Sequence, residues 1–290
     1  MRMVHLDVLR ALAVFLVLGR HLRDEHLDLL GPATRLWFQA GWIGVDLFFV
    51  LSGFLVGGLL FVEAKRYGDL HIGRFLLRRG FKIYPSFWAM IAASLAVAAA
   101  LGTPVKAGPL VAELCFIQNY KGPMWDHTWS LAVEEHFYLI LPLVIGLFIR
   151  PGRGLDARRA LAKLPHFILG LCTLILAVRT VKAILHHQHE DFAYAPLVFR
   201  THIRVDSLWI GVLLAYLHHF HTEALAAWVA RRRPLLWAGF VLGVAPALVL
   251  PIQNLWMHTA GFTQLALGFA CLLLLTLIRP AAAAPPWPTT

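Results

Sequence analysis

Long apolar stretches recur along this chain and constrain its fold more than any other feature. Eight of them could cross a bilayer, at residues 6–22, 41–62, 80–101, 129–149, 164–185, 205–220, 234–251 and 259–278. A transmembrane helix needs about 20 apolar residues, so the first and sixth are short. Of the 290 residues, 59% are hydrophobic and 14% are charged, whereas a soluble domain is about 25% charged. The sequence therefore predicts an all-α, polytopic transmembrane helical bundle of about eight spans.

Basic residues concentrate in alternate loops between these stretches. They occupy residues 63–79, 150–163 and 221–233, and Arg279 follows the last stretch. Because cytoplasmic loops carry an excess of Lys and Arg, both termini are predicted to be cytoplasmic. The same rule accounts for the net charge of +10, so the expected partner is the lipid bilayer and not nucleic acid. We expect one transmembrane domain over residues 1–280 of an inner-membrane protein, followed by a disordered Pro-rich tail at 281–290.

The first stretch, LDVLRALAVFLVLGRH, contains two ionisable residues, Arg10 and His21. Such side chains are costly inside a membrane and are usually kept for function. Eleven residues at about 100° each bring a helix back to within roughly 20° of its starting face, and they rise about 16 Å. Arg10 is therefore expected near the cytoplasmic side, and His21 on the same face near the outer side. Taken alone, His21 is also consistent with an interfacial histidine that snorkels to the headgroups.

Further ionisable groups are predicted at the same outer depth as His21. They are Asp46, Glu134, Glu135, Arg204 and Asp206. A histidine, carboxylates and an arginine at one depth predict a proton-transfer site. Structural roles remain open: Asp46 could interact with a helix N-terminus, Glu134 could pair with Arg204, and Arg204 could pair with Asp206. Glu135 is expected to face water or headgroups.

A basic cluster in GRFLLRRGFKIYPSFW is predicted on the cytoplasmic side. It contains Arg74, Arg78, Arg79 and Lys82. Guanidinium forks match phosphate oxygens, so the cluster, completed by Arg10, is a candidate clamp for a phosphorylated ligand. An anchor for anionic lipid headgroups is the alternative.

Three other features leave alternatives open. Segment 108–118 carries Glu113, is too short to span a bilayer, and is expected to be interfacial or re-entrant. Histidines at 186, 187, 189, 218, 219 and 221 lack a recognised zinc pattern, so no metal site is predicted. The aromatic residues Trp125, Trp129, Phe137 and Tyr138 suit either an interfacial belt or a platform on which a sugar stacks.

Five segments in order resemble the signatures of acyltransferase family 3, membrane proteins that O-acylate sugars. The first stretch has the family's Arg-x10-His spacing, and GVDLFFVLSGFL is close to its second signature. FLLRRGFKIYPSFW resembles its Arg-Arg-x-x-Arg-Ile-x-Pro segment, with Lys82 where an Arg is usual. TWSLAVEEHFYLILPL resembles its Trp-Ser-Leu-x-x-Glu segment, with His136 where Gln is common, and RVDSLWIGVLLA resembles a later Arg-x-Asp motif. The family usually has about ten spans, so eight to ten are expected here.

This resemblance implies an O-acyltransferase that moves an acyl group, expected to be acetyl, from acyl-CoA to a hydroxyl of a carbohydrate or envelope glycan. His21 would be the general base, and Glu134 or Asp46 would orient its imidazole. No bound cofactor is implied, since acyl-CoA is the donor substrate. The residues Arg10, Arg78, Arg79, Lys82, Ser52, Arg204 and Asp206 are candidates for binding substrate or donor.

Some questions stay open at the level of sequence. Ser52 could donate a hydrogen bond or form a transient acyl adduct, although a serine bonded to its own helix backbone is the simpler expectation. The thioester could reach His21 through the bundle, or the acyl group could pass through an intermediate. Rival functions are a proton-coupled transporter, a flippase for a lipid-linked sugar, and a non-catalytic acyl-CoA sensor. No inverted repeat is visible, which disfavours the transporter.

Overall fold

The computed structural model of the protein describes residues 4–21, 31–149, 156–187 and 195–278. Within these ranges the chain is helical and contains no strand, so the all-α prediction is confirmed. The predicted tail at 281–290 lies outside the described residues.

The described helices are, in chain order, α1 (Val4–His21), α2 (Pro32–Ala40), α3 (Ile43–Tyr67), α4 (Ile72–Ala100), α5 (Ala107–Leu114), α6 (Gln118–Lys121), α7 (Trp129–Phe148), α8 (Ala157–Ala160), α9 (Leu164–His187), α10 (Ala195–Val198), α11 (Asp206–Phe220), α12 (Thr222–Val249) and α13 (Phe262–Leu277). Short 3-10 turns occupy Asp126–Thr128 and Thr201–Ile203. A π-helical turn, Met257–Gly261, leads into α13.

Six of the described helices are long and apolar enough to cross a membrane. They lie within Ile43–Tyr67, Ile72–Ala100, Asp126–Phe148, Ala157–His187, Thr222–Val249 and Met257–Leu277. The other two predicted spans correspond to α1 and α11. Helix α1 has 18 residues but carries Asp7, Arg10 and Arg20, and α11 has only 15 residues. The structure is therefore that of a multi-pass membrane protein, while the count of eight spans and the orientation of the termini stay predictions.

The boundaries of two predicted loops are wrong. Helix α4 begins at Ile72, so Arg74, Arg78 and Arg79 lie on a helix and not in a loop. Helix α12 likewise includes the basic stretch 231–233, with non-helical backbone angles at Arg232. Hydropathy marks where a chain becomes apolar, but backbone hydrogen bonds continue a helix past that point.

The chain divides into two compact units. Unit 1 comprises the described parts of Met1–Phe61, Pro165–Phe192 and Asp206–Thr290, and unit 2 those of Val62–Leu164 and Ala193–Val205. Unit 1 therefore contains α1, α2, most of α3 and of α9, and α11–α13. Unit 2 contains α4–α8 and α10.

Close helix contacts in unit 1 depend on glycine. A Cβ atom on Gly211 of α11 would lie 2.2 Å from the carbonyl oxygen of Val50 on α3, and one on Gly53 of α3 would lie 1.9 Å from the carbonyl oxygen of Leu208. Small residues let transmembrane helices approach backbone to backbone. Helices α3 and α11 therefore approach each other closely at these glycines, within the first two turns of α11.

In unit 2, α5 and α6 are separated by a sharp break at Phe116. Its φ of 54° is the only left-handed value among the described non-glycine residues. The Phe116 ring packs against the rings of Tyr84 and Phe87 on α4, with centroids 5.3 and 5.0 Å away. A strained conformation of this kind persists only where surrounding contacts hold it. Residues 107–121 thus form two short helices with a fixed turn, consistent with segment 108–118 being too short to span.

Candidate active site

Arg10 and His21 lie on one continuous helix, α1, as their spacing predicts. The Arg10 guanidinium is 3.6 Å from the carboxylate of Asp7, one turn earlier. His21 is the last residue of α1 and is exposed. The end of this helix is fixed by α2, because Trp37 donates a hydrogen bond to the carbonyl oxygen of Phe15 at 2.8 Å and stacks on its ring.

Asp46 lies in the first turn of α3 and is fully buried. Its Oδ1 accepts a hydrogen bond at 3.2 Å from the hydroxyl of Ser207, in the first turn of α11. A buried carboxylate held by a hydroxyl from another helix has a fixed orientation. Ser52 lies further along α3 and is also buried.

Asp206 forms a buried ion pair that the sequence reading missed. Arg179 of α9 donates from Nη1 to both carboxylate oxygens of Asp206, at 3.2 and 3.1 Å, and both side chains have no exposed surface. Thr263 of α13 donates to Oδ2 of Asp206 at 2.6 Å and accepts from Arg179. Arg179 also donates to the carbonyl oxygen of Thr259 at 3.0 Å. The pair therefore joins α9, α11 and α13.

A sequence signal for Arg179 existed. It is an ionisable residue inside a long apolar helix, and the rule that singled out Arg10 applies to it equally. Arg179 lies outside the five motifs, so the family resemblance did not point to it.

In unit 2, Glu134 belongs to a chain of contacts on α7. It is buried, and its Oε1 accepts a hydrogen bond at 3.0 Å from the hydroxyl of Tyr138, one turn later. The Arg79 guanidinium lies over the Tyr138 ring at 4.4 Å from its centroid, a cation–π geometry. Arg79 therefore differs from Arg78 and Lys82, which are exposed on α4.

Glu135 was expected to face water or headgroups, and that expectation is wrong. The residue is 4% exposed, and its Oε2 accepts a hydrogen bond from the hydroxyl of Tyr84 at 3.1 Å. The two glutamates of α7 are thus both buried, each held by a different tyrosine.

Arg204 is 1% exposed in unit 2. Its guanidinium lies over the ring of Trp129 at 5.7 Å, and Trp129 stacks on Phe199 with centroids 5.0 Å apart. Trp129 and Tyr138 are 8% and 4% exposed. Buried rings of this kind serve neither as an interfacial belt nor as an open stacking platform, so both roles considered for these two aromatics are wrong.

The predicted catalytic residues are divided between the two units. His21 and Asp46 belong to unit 1, and Glu134 belongs to unit 2. Within each unit the structure joins Asp46 to Ser207, Asp206 to Arg179, and Glu134 to Tyr138. The joint catalytic role of His21, Asp46 and Glu134 stays a prediction.

Comparison with known proteins agrees with the arrangement of motifs. A family model described as an acyltransferase domain, that of acyltransferase family 3, matches residues 3–284. The O-acetyltransferase OatA of Staphylococcus aureus is 25% identical over 299 residues, which cover 96% of this chain and 45% of the relative. The peptidoglycan O-acetyltransferase OatA of Listeria monocytogenes is 29% identical over 163 residues, covering 50% of this chain and 24% of the relative.

A third relative, an uncharacterized protein of Haemophilus influenzae, is 28% identical over 197 residues, covering 62% of this chain and 76% of the relative. No solved structure matches the chain significantly. The chain spans less than half the length of the two OatA relatives. Because the family model covers almost the whole chain and the five signatures occur in its order, the chain belongs to acyltransferase family 3.

Proposed function

We propose that this protein is an inner-membrane O-acyltransferase that moves an acetyl group from acetyl-CoA to a hydroxyl of an envelope glycan, with peptidoglycan as the first candidate. The observation that carries the proposal is the family match over residues 3–284. The names of two relatives, which specify O-acetyl transfer and in one case peptidoglycan, supply the acyl group and the acceptor.

His21 is assigned the role of general base. A histidine imidazole can both accept and release a proton near neutral pH, and the exposure of His21 at the end of α1 leaves its imidazole accessible. The acceptor oxygen attacks the thioester carbonyl, the carbon–sulfur bond breaks, and an ester bond forms. The hydroxyl proton passes to His21 and then to the departing thiolate, so the reaction balances without another reactant.

Asp46 and Glu134 are the candidates to orient the imidazole and stabilise its cation. Each is buried and accepts a hydrogen bond from a hydroxyl group, of Ser207 for Asp46 and of Tyr138 for Glu134. A carboxylate that already has a fixed position loses little entropy when it binds the base. Asp46 and Glu134 are therefore both suited to orienting His21. Substituting each in turn shows which of the two has this role.

The donor is assigned to basic residues on α1 and α4. Arg10 has a side chain that is 41% exposed, and Arg78 and Lys82 are exposed one turn apart on one face of α4. Exposed basic side chains of this kind are suited to binding phosphate groups, while Arg79 is packed on Tyr138. Ser52, Arg204 and Asp206 remain candidates for binding, and Asp206 is engaged with Arg179.

A transfer assay tests this function. The purified protein is reconstituted in proteoliposomes with acetyl-CoA labelled in its acetyl group and with soluble glycan strands from peptidoglycan. Label should appear in the glycan, and free CoA should be released in equal amount. Solute or proton flux without acetylated glycan would instead support a transporter, and donor binding without turnover would support a sensor.

The donor assignment has its own control. Arg78→Gln should raise the KM for acetyl-CoA by at least roughly tenfold, since a hydrogen bond to a charged group contributes about 1.5–3 kcal/mol. Arg231→Gln removes an exposed arginine from α12 and should leave that KM unchanged. Equal KM values for the two variants would remove Arg78 from the donor site.

A further inference from the structure

Unit 2 contains four buried side-chain oxygens that accept no hydrogen bond from any residue the structure describes. They are Glu113 Oε2, Gln118 Oε1, Asn119 Oδ1 and Glu135 Oε1. The four residues are 0%, 0%, 7% and 4% exposed. Buried polar groups almost always have a partner, so each exception calls for an explanation. Three of the four lie within seven residues of each other, on α5 and α6.

The orientation of two of these groups is fixed by Thr128. Its hydroxyl donates to Glu113 Oε1 at 2.8 Å, and Met124 donates its backbone N–H to the same oxygen at 2.9 Å. Gln118 donates from Nε2 to the carbonyl oxygen of Thr128 at 3.0 Å. Because a carbonyl oxygen only accepts, the amide nitrogen of Gln118 has to face Thr128, and Oε1 has to face away.

Asn119 is held in the same way at Thr201. Its Nδ2 donates to the hydroxyl oxygen of Thr201 at 2.8 Å and to the carbonyl oxygen of Phe199 at 3.3 Å. His136 bonds the same hydroxyl through Nδ1 at 2.7 Å. The amide nitrogen of Asn119 therefore faces two acceptors, and its Oδ1 faces away from them.

Two exposed rings adjoin this cluster. Tyr120 follows Asn119 in sequence and stacks on His202 with centroids 5.8 Å apart, and its hydroxyl is 2.9 Å from Nδ1 of His202. Tyr120 is 41% exposed. A partly exposed ring with a polar edge suits a ligand that is apolar on one side and polar at its rim.

The ligand for such a site has to supply hydrogen-bond donors. No group of three His, Cys, Asp or Glu side chains in the described ranges is arranged to hold a metal ion. A sugar ring offers several hydroxyl donors together with an apolar C–H face. We infer that α5, α6 and the turn between them bind the acceptor sugar, with the oxygens of Glu113 and Gln118 accepting its hydroxyls and Tyr120 packing on its ring.

This inference rests on the proposed function, because it names the acceptor site of the same reaction. Because these oxygens are buried, a glycan that bonds to them has to change the conformation of the α5–α6 segment. Binding of a glycan is therefore expected to change the hydrogen exchange of residues 107–121, a signal that needs no donor and no turnover.

Glu113→Gln tests the site with little change of shape. It keeps an oxygen to accept from Thr128 and Met124, and it replaces the second oxygen with an amide donor that repels a sugar hydroxyl's proton. The KM for soluble peptidoglycan glycan strands should rise at least about tenfold, a loss of about 1.4 kcal/mol, while the KM for acetyl-CoA changes less than about twofold. Glu223→Gln, on an exposed glutamate of α12, is the matched control and should match wild type in both constants.

The outcomes separate the two proposals. Absence of transfer and of donor turnover in wild type counts against the proposed function. Transfer by wild type with an unchanged acceptor KM in Glu113→Gln overturns the acceptor site alone. An equal rise of both KM values, together with lower thermal stability, also overturns it, because Glu113 is then a structural residue.

Gln118→Leu provides the second measurement. The full chain in detergent is exposed to the glycan strands without acetyl-CoA, and hydrogen exchange of residues 107–121 is followed. Wild type should show altered exchange, and Gln118→Leu should lose most of that change while keeping its affinity for acetyl-CoA. If glycan does not change the hydrogen exchange of residues 107–121 in wild type, the proposed acceptor site is wrong.

Discussion

The ion pair of Arg179 and Asp206 predicts a large and specific loss of stability when one partner is removed. Both side chains are fully buried and 3.1 Å apart at their closest. Removal of one member of a buried pair leaves an uncompensated charge and costs about 3–5 kcal/mol. Arg179→Met, which preserves most of the side-chain volume, should therefore lower the free energy of unfolding by about 4 kcal/mol.

The double variant Arg179→Met with Asp206→Leu should recover at least half of that loss. Replacement of a whole buried pair by apolar residues is often neutral or stabilising, and the hydroxyl of Thr263 can then bond its own helix backbone. Arg231→Met, on an exposed arginine, is the control and should change stability by less than about 0.5 kcal/mol.

Reversible unfolding in mixed micelles, titrated with a denaturing detergent, measures these free energies. The reasoning requires a large single loss and a strong coupling between the two sites. If Arg179→Met costs only about 0.6 kcal/mol, the average for an interhelical hydrogen bond in a membrane protein, the pair does not stabilise unit 1 as argued. A double variant no more stable than Arg179→Met would also contradict this role of the ion pair.

Three further predictions concern individual contacts. Gly211→Ala should destabilise the protein by roughly 1–3 kcal/mol, because the new Cβ would lie 2.2 Å from a carbonyl oxygen of α3. Gly170→Ala is the control: a Cβ there would have no neighbour within 4 Å, so it should be neutral or stabilising in the same unfolding titration. Tyr84→Phe should cost roughly 1–3 kcal/mol by removing the donor to a buried carboxylate, and an unchanged midpoint would contradict that contact. Asp46→Asn keeps an oxygen that can accept from Ser207, so the free energy of unfolding should be unchanged. The kcat for acetyl transfer should fall at least about tenfold, and an unchanged kcat would contradict a catalytic role for Asp46.

The all-α fold class and the main sequence motifs could be predicted from sequence, because both depend on local patterns of residue types. A run of apolar residues has to form a helix in lipid, since every backbone group must be satisfied internally. The spacing of Arg10 and His21 on one helix follows from the same geometry. Helix ends were less predictable: α4 begins eight residues before its predicted start at residue 80, because charged residues are compatible with a helix outside the apolar region.

The partners of the buried polar residues could not be predicted. Tyr84 and Glu135 are 51 residues apart in sequence, and Ser207 and Asp46 are 161 residues apart. Local periodicity says nothing about which helices pack together. Glu135 was expected to face water or headgroups, yet tyrosines on two different helices provide hydrogen-bond partners for Glu134 and Glu135.

The central claim is acetyl transfer that depends on His21. The most direct measurement is mass spectrometry of glycan strands after incubation with acetyl-CoA and either wild-type protein or His21→Ala, both in proteoliposomes and matched for the amount of inserted protein. The account predicts acetylated glycan with wild type and none above background with His21→Ala. Glycan acetylated equally by both proteins would contradict the role of His21, and glycan acetylated by neither would contradict the proposed activity.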